Sequence, residues 1–250
     1  MSKKNSSKKI FKKSFKTFPR IFLPTFSMKN SSSEISPKKI LITGGLGFIG
    51  SHTAAHLGAL GHEIVILDNC SRAPLSTLDK IQEILNKKIE FHRADLRDFD
   101  ALQKILAQTQ PDGVIHFAAL KSVNESCSDT GTYFDNNVTG TINLARAMLA
   151  TNTQNLVFSS SCTVYGEATP PVSESAPTGA TANPYGRSKF LCEKILQDFA
   201  NFAGLRTVAL RYFNPIGAHP SGLLGESPSG QPTNIFPFIL KVAAGILPEL

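Results

Sequence analysis

Tyr185 and Lys189 stand four residues apart, directly after Pro184, in a stretch whose pattern rises into a helix. At that spacing both side chains share one helix face. A tyrosine at its ordinary pKa of about 10 is a poor base at neutral pH, but a neighbouring positive charge stabilises the phenolate and makes it a proton acceptor for an alcohol. The spacing also arises by chance, so the pair needs a third group and a setting. The segment FSSSCTVYG, Phe158–Gly166, supplies candidates. It follows a strand-like run at Leu156, and hydroxyls at the carboxyl end of a strand point into the crevice where open α/β sheets bind ligands. Ser161 is then placed to hydrogen-bond a reacting oxygen, and Ser159 to face a cofactor. A serine-rich turn that caps a helix is the plainer reading of the same residues, with Tyr165 as a packing side chain.

The elements that must position these groups are legible as a rhythm. Strand-like runs at Lys39–Thr43, Glu63–Leu67, Ile89–His92, Val114–Phe117, Leu156–Ser159 and Thr207–Leu210 alternate with amphipathic, helix-like sequence, beginning with a helix over about Phe48–Leu60. Strand, helix, strand at this spacing predicts a doubly wound parallel sheet with right-handed crossovers. The first strand runs into a glycine cluster, ILITGGLGFIGSH. Gly44 and Gly45 make a turn, Gly47 lets a pyrophosphate approach the backbone, and Gly50 packs the helix against the strand. The helix N-terminus offers free N–H groups and the positive end of a dipole to phosphates. Asp68, eighteen residues beyond Gly50 at the end of the second strand, suits the ribose hydroxyls of NAD and repels the 2′-phosphate of NADP. Arg72 nearby argues in the other direction.

The net charge of +7 looks at first like a polyanion-binding signal. It is concentrated in residues 1–37, in Lys3, Lys4, Lys8, Lys9, Lys12, Lys13, Lys16, Arg20 and Lys29 against the single acid Glu34, so the remainder is nearly neutral and nucleic acid is not an expected partner. In the same tail Phe11, Phe15, Phe18 and Phe22 recur at helical spacing, interrupted by Pro19 and Pro24. An organelle transit peptide, a membrane-surface segment, a disordered basic tail and an upstream extension of a chain starting at Met28 are all open readings. The four cysteines, Cys70, Cys127, Cys162 and Cys192, have no metal-ligand or redox spacing and read as reduced thiols of a cytoplasmic protein. No apolar run approaches the roughly 20 residues a membrane helix needs, so no stable membrane insertion is expected.

Taken in order, TGGLGFIGSH, LDN, ADLRD, HFAALKSV, YFDNNVTGT, SSSCTVYGE, NPYGRSK and RYFNPIGAHPSGLLGE closely resemble the UDP-glucose 4-epimerase family, extended short-chain dehydrogenases/reductases. The resemblance runs from about Lys39 to the last residue, and its final phrase is the most specific. It implies a Rossmann-type NAD-binding domain over residues 39–213, preceded by a tail at 1–38 and followed at 214–250 by the start of a smaller substrate domain. The family completes that domain with further sequence, so the chain reads either as a piece of a longer epimerase or as a short NAD-binding module.

For the site, the resemblance implies a tightly held NAD that is reduced and reoxidised within one turnover. Tyr185 takes the proton of the sugar 4-hydroxyl, Lys189 binds the nicotinamide ribose and lowers the tyrosine pKa, and Ser161 bridges to the 4-oxygen. Cofactor contacts are implied at Phe48 and Ile49 after the glycine turn, Asp68 and Asn69 after the second strand, and Asp95 and Leu96 after the third. Phe117, Ala118 and Lys121 follow the fourth strand, and Asn136 and Ser159 complete the set. The UDP-sugar is implied to lie along Lys121, Asn214 and Asn234. Related dehydratases use an Asp-Glu pair beside the active-site threonine, whereas Cys162 and Thr163 follow Ser161 here, which disfavours elimination of water. A homodimer is implied through the helices around Thr139–Leu149 and Phe190–Phe202. UDP-N-acetylglucosamine and UDP-pentoses stay open as alternative substrates.

Overall fold

The structure, a computed structural model, describes residues 36–226 and 235–249; the basic tail and Asn234 lie outside the described residues. Six strands form one parallel sheet in the order β3-β2-β1-β4-β5-β6. They are β1 (Lys39–Thr43), β2 (Glu63–Asp68), β3 (Glu90–Arg93), β4 (Gly113–His116), β5 (Asn155–Ser159) and β6 (Arg206–Leu210). The order reverses between β1 and β4, where a doubly wound sheet opens its ligand crevice.

Side-chain alternation explains why the sheet is covered on both faces. Leu41, Val65, Leu67, Val114, Leu156 and Phe158 point to one side. There they meet α3 (Phe99–Thr109), α6 (Gly140–Ala150) and α7 (Pro184–Ala203) through Leu102, Leu106, Leu144, Met148 and Leu196. Ile42, Ile64 and Ile66 point to the other side, against Ala54 of α1 (Phe48–Ala59) and Ile81 of α2 (Ser76–Leu85). With apolar residues at every interior position of the two strands, 40–42 in β1 and 64–67 in β2, the period-2 pattern disappears from the sequence, as expected of strands buried on both faces. Burying each of these large side chains contributes about 1.5–3 kcal/mol.

Between β4 and α6 the chain breaks into short pieces, α4 (Val123–Ser128), α5 (Thr130–Phe134) and a turn of π-helix at Asp135–Thr139. The long helix α7 is well delimited. The Asn183 side chain accepts from the Gly186 N–H at 2.8 Å, Pro184 occupies the first turn, and Gly204, at φ 83°, ends it. The edge strand β6 leaves Val208 57% and Leu210 39% exposed, whereas the sequence reads it like its buried neighbours. A last helix, α8 (Ile235–Ala243), follows the second undescribed stretch. Among the described residues no helix is long and apolar enough to cross a membrane, and all four cysteines are free thiols.

Candidate active site

The glycine turn is held by its own backbone. The Gly44 N–H donates to the Leu67 carbonyl at 2.8 Å and the Gly47 N–H to the Gly44 carbonyl at 3.1 Å. Gly44 sits at φ +66°, and a Cβ there would lie 2.5 Å from the Ala118 nitrogen, so the turn is pressed against the loop after β4. A Cβ on Gly50 would lie 2.3 Å from the Gly44 carbonyl oxygen, which places α1 against the turn itself. Helices α3, α4, α5 and α7 begin on capping side chains, Asp98, Ser122, Asp129 and Asn183. Helix α1 begins at Gly47 with no side-chain cap and no acid in its first turn. A tight glycine cradle and uncapped N–H donors at the sheet's reversal point fit the pyrophosphate of a dinucleotide.

Asp68 closes β2 beside this cradle. Its carboxylate accepts from the Leu46 N–H at 3.2 Å and the Cys70 N–H at 2.8 Å. Burial pushes its pKa up, and those two donors pull against the rise. Asn69 donates to Asp95 at 3.0 Å, joining the loops after β2 and β3. Asp95 also takes the Arg97 guanidinium, which holds its carboxyl well below the usual carboxylate range. Leu96 is buried beneath, while Phe117 and Ala118 hang on Thr43 through N–H bonds to its carbonyl and hydroxyl. Lys121 pairs with Glu226 at 3.4 Å. Asn136, on the π-helical turn, donates to Asn137 at 3.0 Å. Phe48 and Ile49, both half-buried, open α1. Apart from Asn136, Asn137 and Glu226, all of these residues follow or close the carboxyl ends of β1, β2, β3 and β4.

The proposed proton-handling groups gather at the carboxyl end of β5. Lys189 is 3% exposed, donates to the Ser159 carbonyl at 2.8 Å, and lies 5.0 Å above the Phe158 ring. Ser161 accepts from the Thr163 hydroxyl at 2.9 Å, and its own hydroxyl acts on the Tyr185 phenol, favouring the phenolate. Burial raises the Tyr185 pKa, Ser161 offsets part of the rise, and Lys189 is not among the groups acting on it. The ammonium is turned to the Ser159 carbonyl instead. Asn214 lies exposed in the irregular chain after β6.

Burial also brings Lys189 down to about 8 from 10.5. Between those values the folded chain binds fewer protons than the unfolded one, so stability rises with pH across that window and the cost is fully present below pH 8. Lys189→Met should therefore stabilise the cofactor-free protein at pH 7 by about 1–3 kcal/mol, less the lost bond to Ser159, with the gain vanishing above about pH 10. Chemical denaturation at pH 7 and pH 10 measures both; a variant less stable than wild type at pH 7 would overturn the assignment.

Several groups at the site, and the partner of Arg72, escaped the sequence reading. The Tyr212 hydroxyl donates to Ser159 Oγ, and burial raises its pKa, with the Tyr185 phenol contributing. Arg72 is taken by Glu125, which also accepts from the Tyr133 hydroxyl at 2.9 Å. Asn137 is buried and donates to the Leu120 carbonyl and to Ser188 Oγ, both at 3.0 Å. Glu193 binds Arg211. Only Glu193 had an accessible signal, lying one helical turn beyond Lys189 on the Tyr185 face.

Sheet order and glycine cradle define a dinucleotide-binding α/β protein, with Ser161, Tyr185 and Lys189 gathered near the end of β5. Residues 40–248 match the NAD dependent epimerase/dehydratase family, and the chain belongs to it. It is 49% identical over 216 residues to UDP-glucose 4-epimerase of Neisseria meningitidis serogroup B, covering 85% of this chain and 63% of that protein. The crystal structure of UDP-glucose-4-epimerase from Stenotrophomonas maltophila, with bound NAD and formylated UDP-arabinopyranose, superposes with a TM-score of 0.81 at 45% identity, covering 85% of this chain and 64% of that one. The enzyme from Bifidobacterium longum, in complex with NAD+ and UDP, gives a TM-score of 0.79 at 42% identity, covering 84% and 63%. The chain thus spans just under two thirds of the length of these relatives.

Proposed function

We propose that the protein is an NAD-dependent UDP-sugar 4-epimerase that interconverts UDP-glucose and UDP-galactose through a 4-keto sugar. The observation that carries this reading is the Ser161–Tyr185–Lys189 cluster beside the glycine cradle, with Cys162 and Thr163 rather than two carboxylates after Ser161. The named activities of the similar proteins support it.

NAD, when bound, would supply hydride-accepting and hydride-donating chemistry at the sugar C4. Tyr185 takes the 4-hydroxyl proton during oxidation and gives it back during reduction, so no net proton is consumed. Ser161 holds the 4-oxygen in line with the phenol. Lys189 reaches the nicotinamide ribose from the floor of the crevice. Gly44, Gly47, Phe48, Ile49 and Gly50 hold the pyrophosphate; Asp68 and Asn69 the adenosine ribose; Asp95 and Leu96 the adenine side. Phe117, Ala118, Lys121, Asn136 and Ser159 line the remainder. Lys121, Asn214 and Asn234 serve the UDP-sugar, residues 214–250 begin its domain, α6 and α7 pair two copies, and the compartment is the cytoplasm.

The test is to load the full-length protein with NAD and follow UDP-galactose and UDP-glucose by anion-exchange chromatography, with UDP-N-acetylglucosamine and a UDP-pentose in parallel. Conversion of UDP-glucose supports the reading. Conversion of another sugar alone moves the substrate, and bound NAD with no turnover of any of them makes the chain a binding module.

Cofactor choice follows from the same crevice. Arg72 is committed to Glu125 and Asp68 faces the ribose site, so NAD is preferred over NADP. Asp68→Ala should narrow the preference by about tenfold, since it removes a buried like charge from the 2′-phosphate position. Calorimetric titration with both cofactors measures it; a variant that rejects NADP as strongly as before shows that another group decides.

A further inference from the structure

The three serines at the end of β5 are each pinned from a different direction. The Ser159 carbonyl takes Lys189 and its hydroxyl takes Tyr212; Ser161 meets Tyr185; and Ser160, between them, donates to the Glu193 carboxylate. Glu193 belongs to α7, on the face that carries Tyr185 and Lys189. Its side chain is 8% exposed and is gripped by both arms of Arg211, Nε at 2.8 Å and Nη2 at 2.7 Å. Arg211 follows β6 directly. Its remaining arm reaches the Tyr165 hydroxyl at 3.1 Å and the Glu174 carbonyl at 3.3 Å, with the guanidinium 5.0 Å above the Tyr165 ring. The next residue, Tyr212, accepts from the Cys162 N–H at 3.2 Å.

We infer that the Glu193–Arg211 pair positions the catalytic turn: it fixes Ser160, and through it Ser159 and Ser161, against the helix that carries Tyr185 and Lys189. The physical case is one of alternatives. A buried, bidentate pair is costly to desolvate, and a well-packed apolar pair of similar volume often supports a fold equally well. What an apolar pair cannot supply is the acceptor for the Ser160 hydroxyl or the donor to Tyr165. Four elements meet at this pair: the turn after β5, the segment carrying Glu174, the middle of α7, and the end of β6. The partners of the two side chains are Ser160, Tyr165, Glu174 and each other, so they act through the serines, as positioning residues. The inference rests on the proposed epimerase reaction for its activity readout.

The deciding variant is the double substitution Glu193→Met/Arg211→Met in the full-length, NAD-loaded protein. A folded double variant with NAD affinity within about threefold of wild type, KM within about threefold and kcat reduced at least about tenfold supports positioning. Wild-type kcat in the folded double variant overturns it. Where the double variant does not fold, Glu193→Gln and Arg211→Lys are read the same way, and failure of all three to fold overturns the proposal in favour of a folding role.

A second readout does not depend on turnover. The Lys189 side-chain resonance, in protein labelled at lysine, should titrate near 8 in wild type and at a different pH once Ser159 is loosened. An unchanged titration in a folded variant also overturns the proposal. Should wild type convert no UDP-sugar, the epimerase reading fails while this titration still decides the role of the pair.

Discussion

Tyr185→Phe will lower the proposed interconversion of UDP-glucose and UDP-galactose by about 10²–10⁴-fold, the usual contribution of a positioned acid–base group, and will leave NAD bound. The ring that fills the space beside Ser161 is kept; only the oxygen that carries the proton is lost. Burial raises the Tyr185 pKa, so a positive charge bound beside the phenol would favour the phenolate. Turnover should accordingly depend on cofactor occupancy more steeply than substrate binding does. Stopped-flow turnover and the absorbance of protein-bound NAD separate the two quantities. Unchanged turnover would remove the phenol from the mechanism, whereas loss of bound NAD would make Tyr185 a cofactor ligand first.

Gly50→Ala carries the second large effect. The added Cβ would lie 2.3 Å from the Gly44 carbonyl oxygen and 2.9 Å from the Gly45 Cα, both backbone atoms of the cradle. Neither can give without moving the turn, and overpacking of this kind costs about 1–3 kcal/mol of stability. Because the displaced atoms are those proposed to face the pyrophosphate, dinucleotide affinity should fall by at least about tenfold. Gly131→Ala is the matched control: nothing lies within 4 Å of its added Cβ. It should leave NAD affinity unchanged. Titration of NAD into the two variants decides the matter, and equal affinities would show that the cradle does not hold the cofactor.

Most of the architecture was readable before any coordinates because each element is specified locally. Glycines after Ile40–Thr43 mark a strand-to-helix turn, Asn183-Pro184 marks the start of a helix, and apolar runs of strand length between amphipathic stretches mark a parallel sheet. The misreadings have local causes as well. Ile89 reads as strand because it is apolar and buried, yet it precedes β3. The short helices between Val123 and Thr139 were not read as separate pieces, since no single period survives across Ser128-Asp129 and the π-helical turn. Val208 and Leu210 look like core residues in sequence, and only the strand order makes β6 an edge.

The sequence by itself determined the order of the elements, the glycine cradle with its acid, and the Tyr185–Lys189 pair, because these follow from residue type and spacing over a few positions. Tertiary structure decided what the groups do to one another. That Lys189 faces the Ser159 carbonyl, that Arg72 is held by Glu125, and that Arg211 returns from the end of β6 to close on Glu193 are contacts between residues 18 to 53 positions apart. Spacing says nothing about such pairs. They form because the parallel crossovers bring the carboxyl ends of the strands to one edge of the sheet, where burial strengthens each charge and each hydrogen bond that finds a partner.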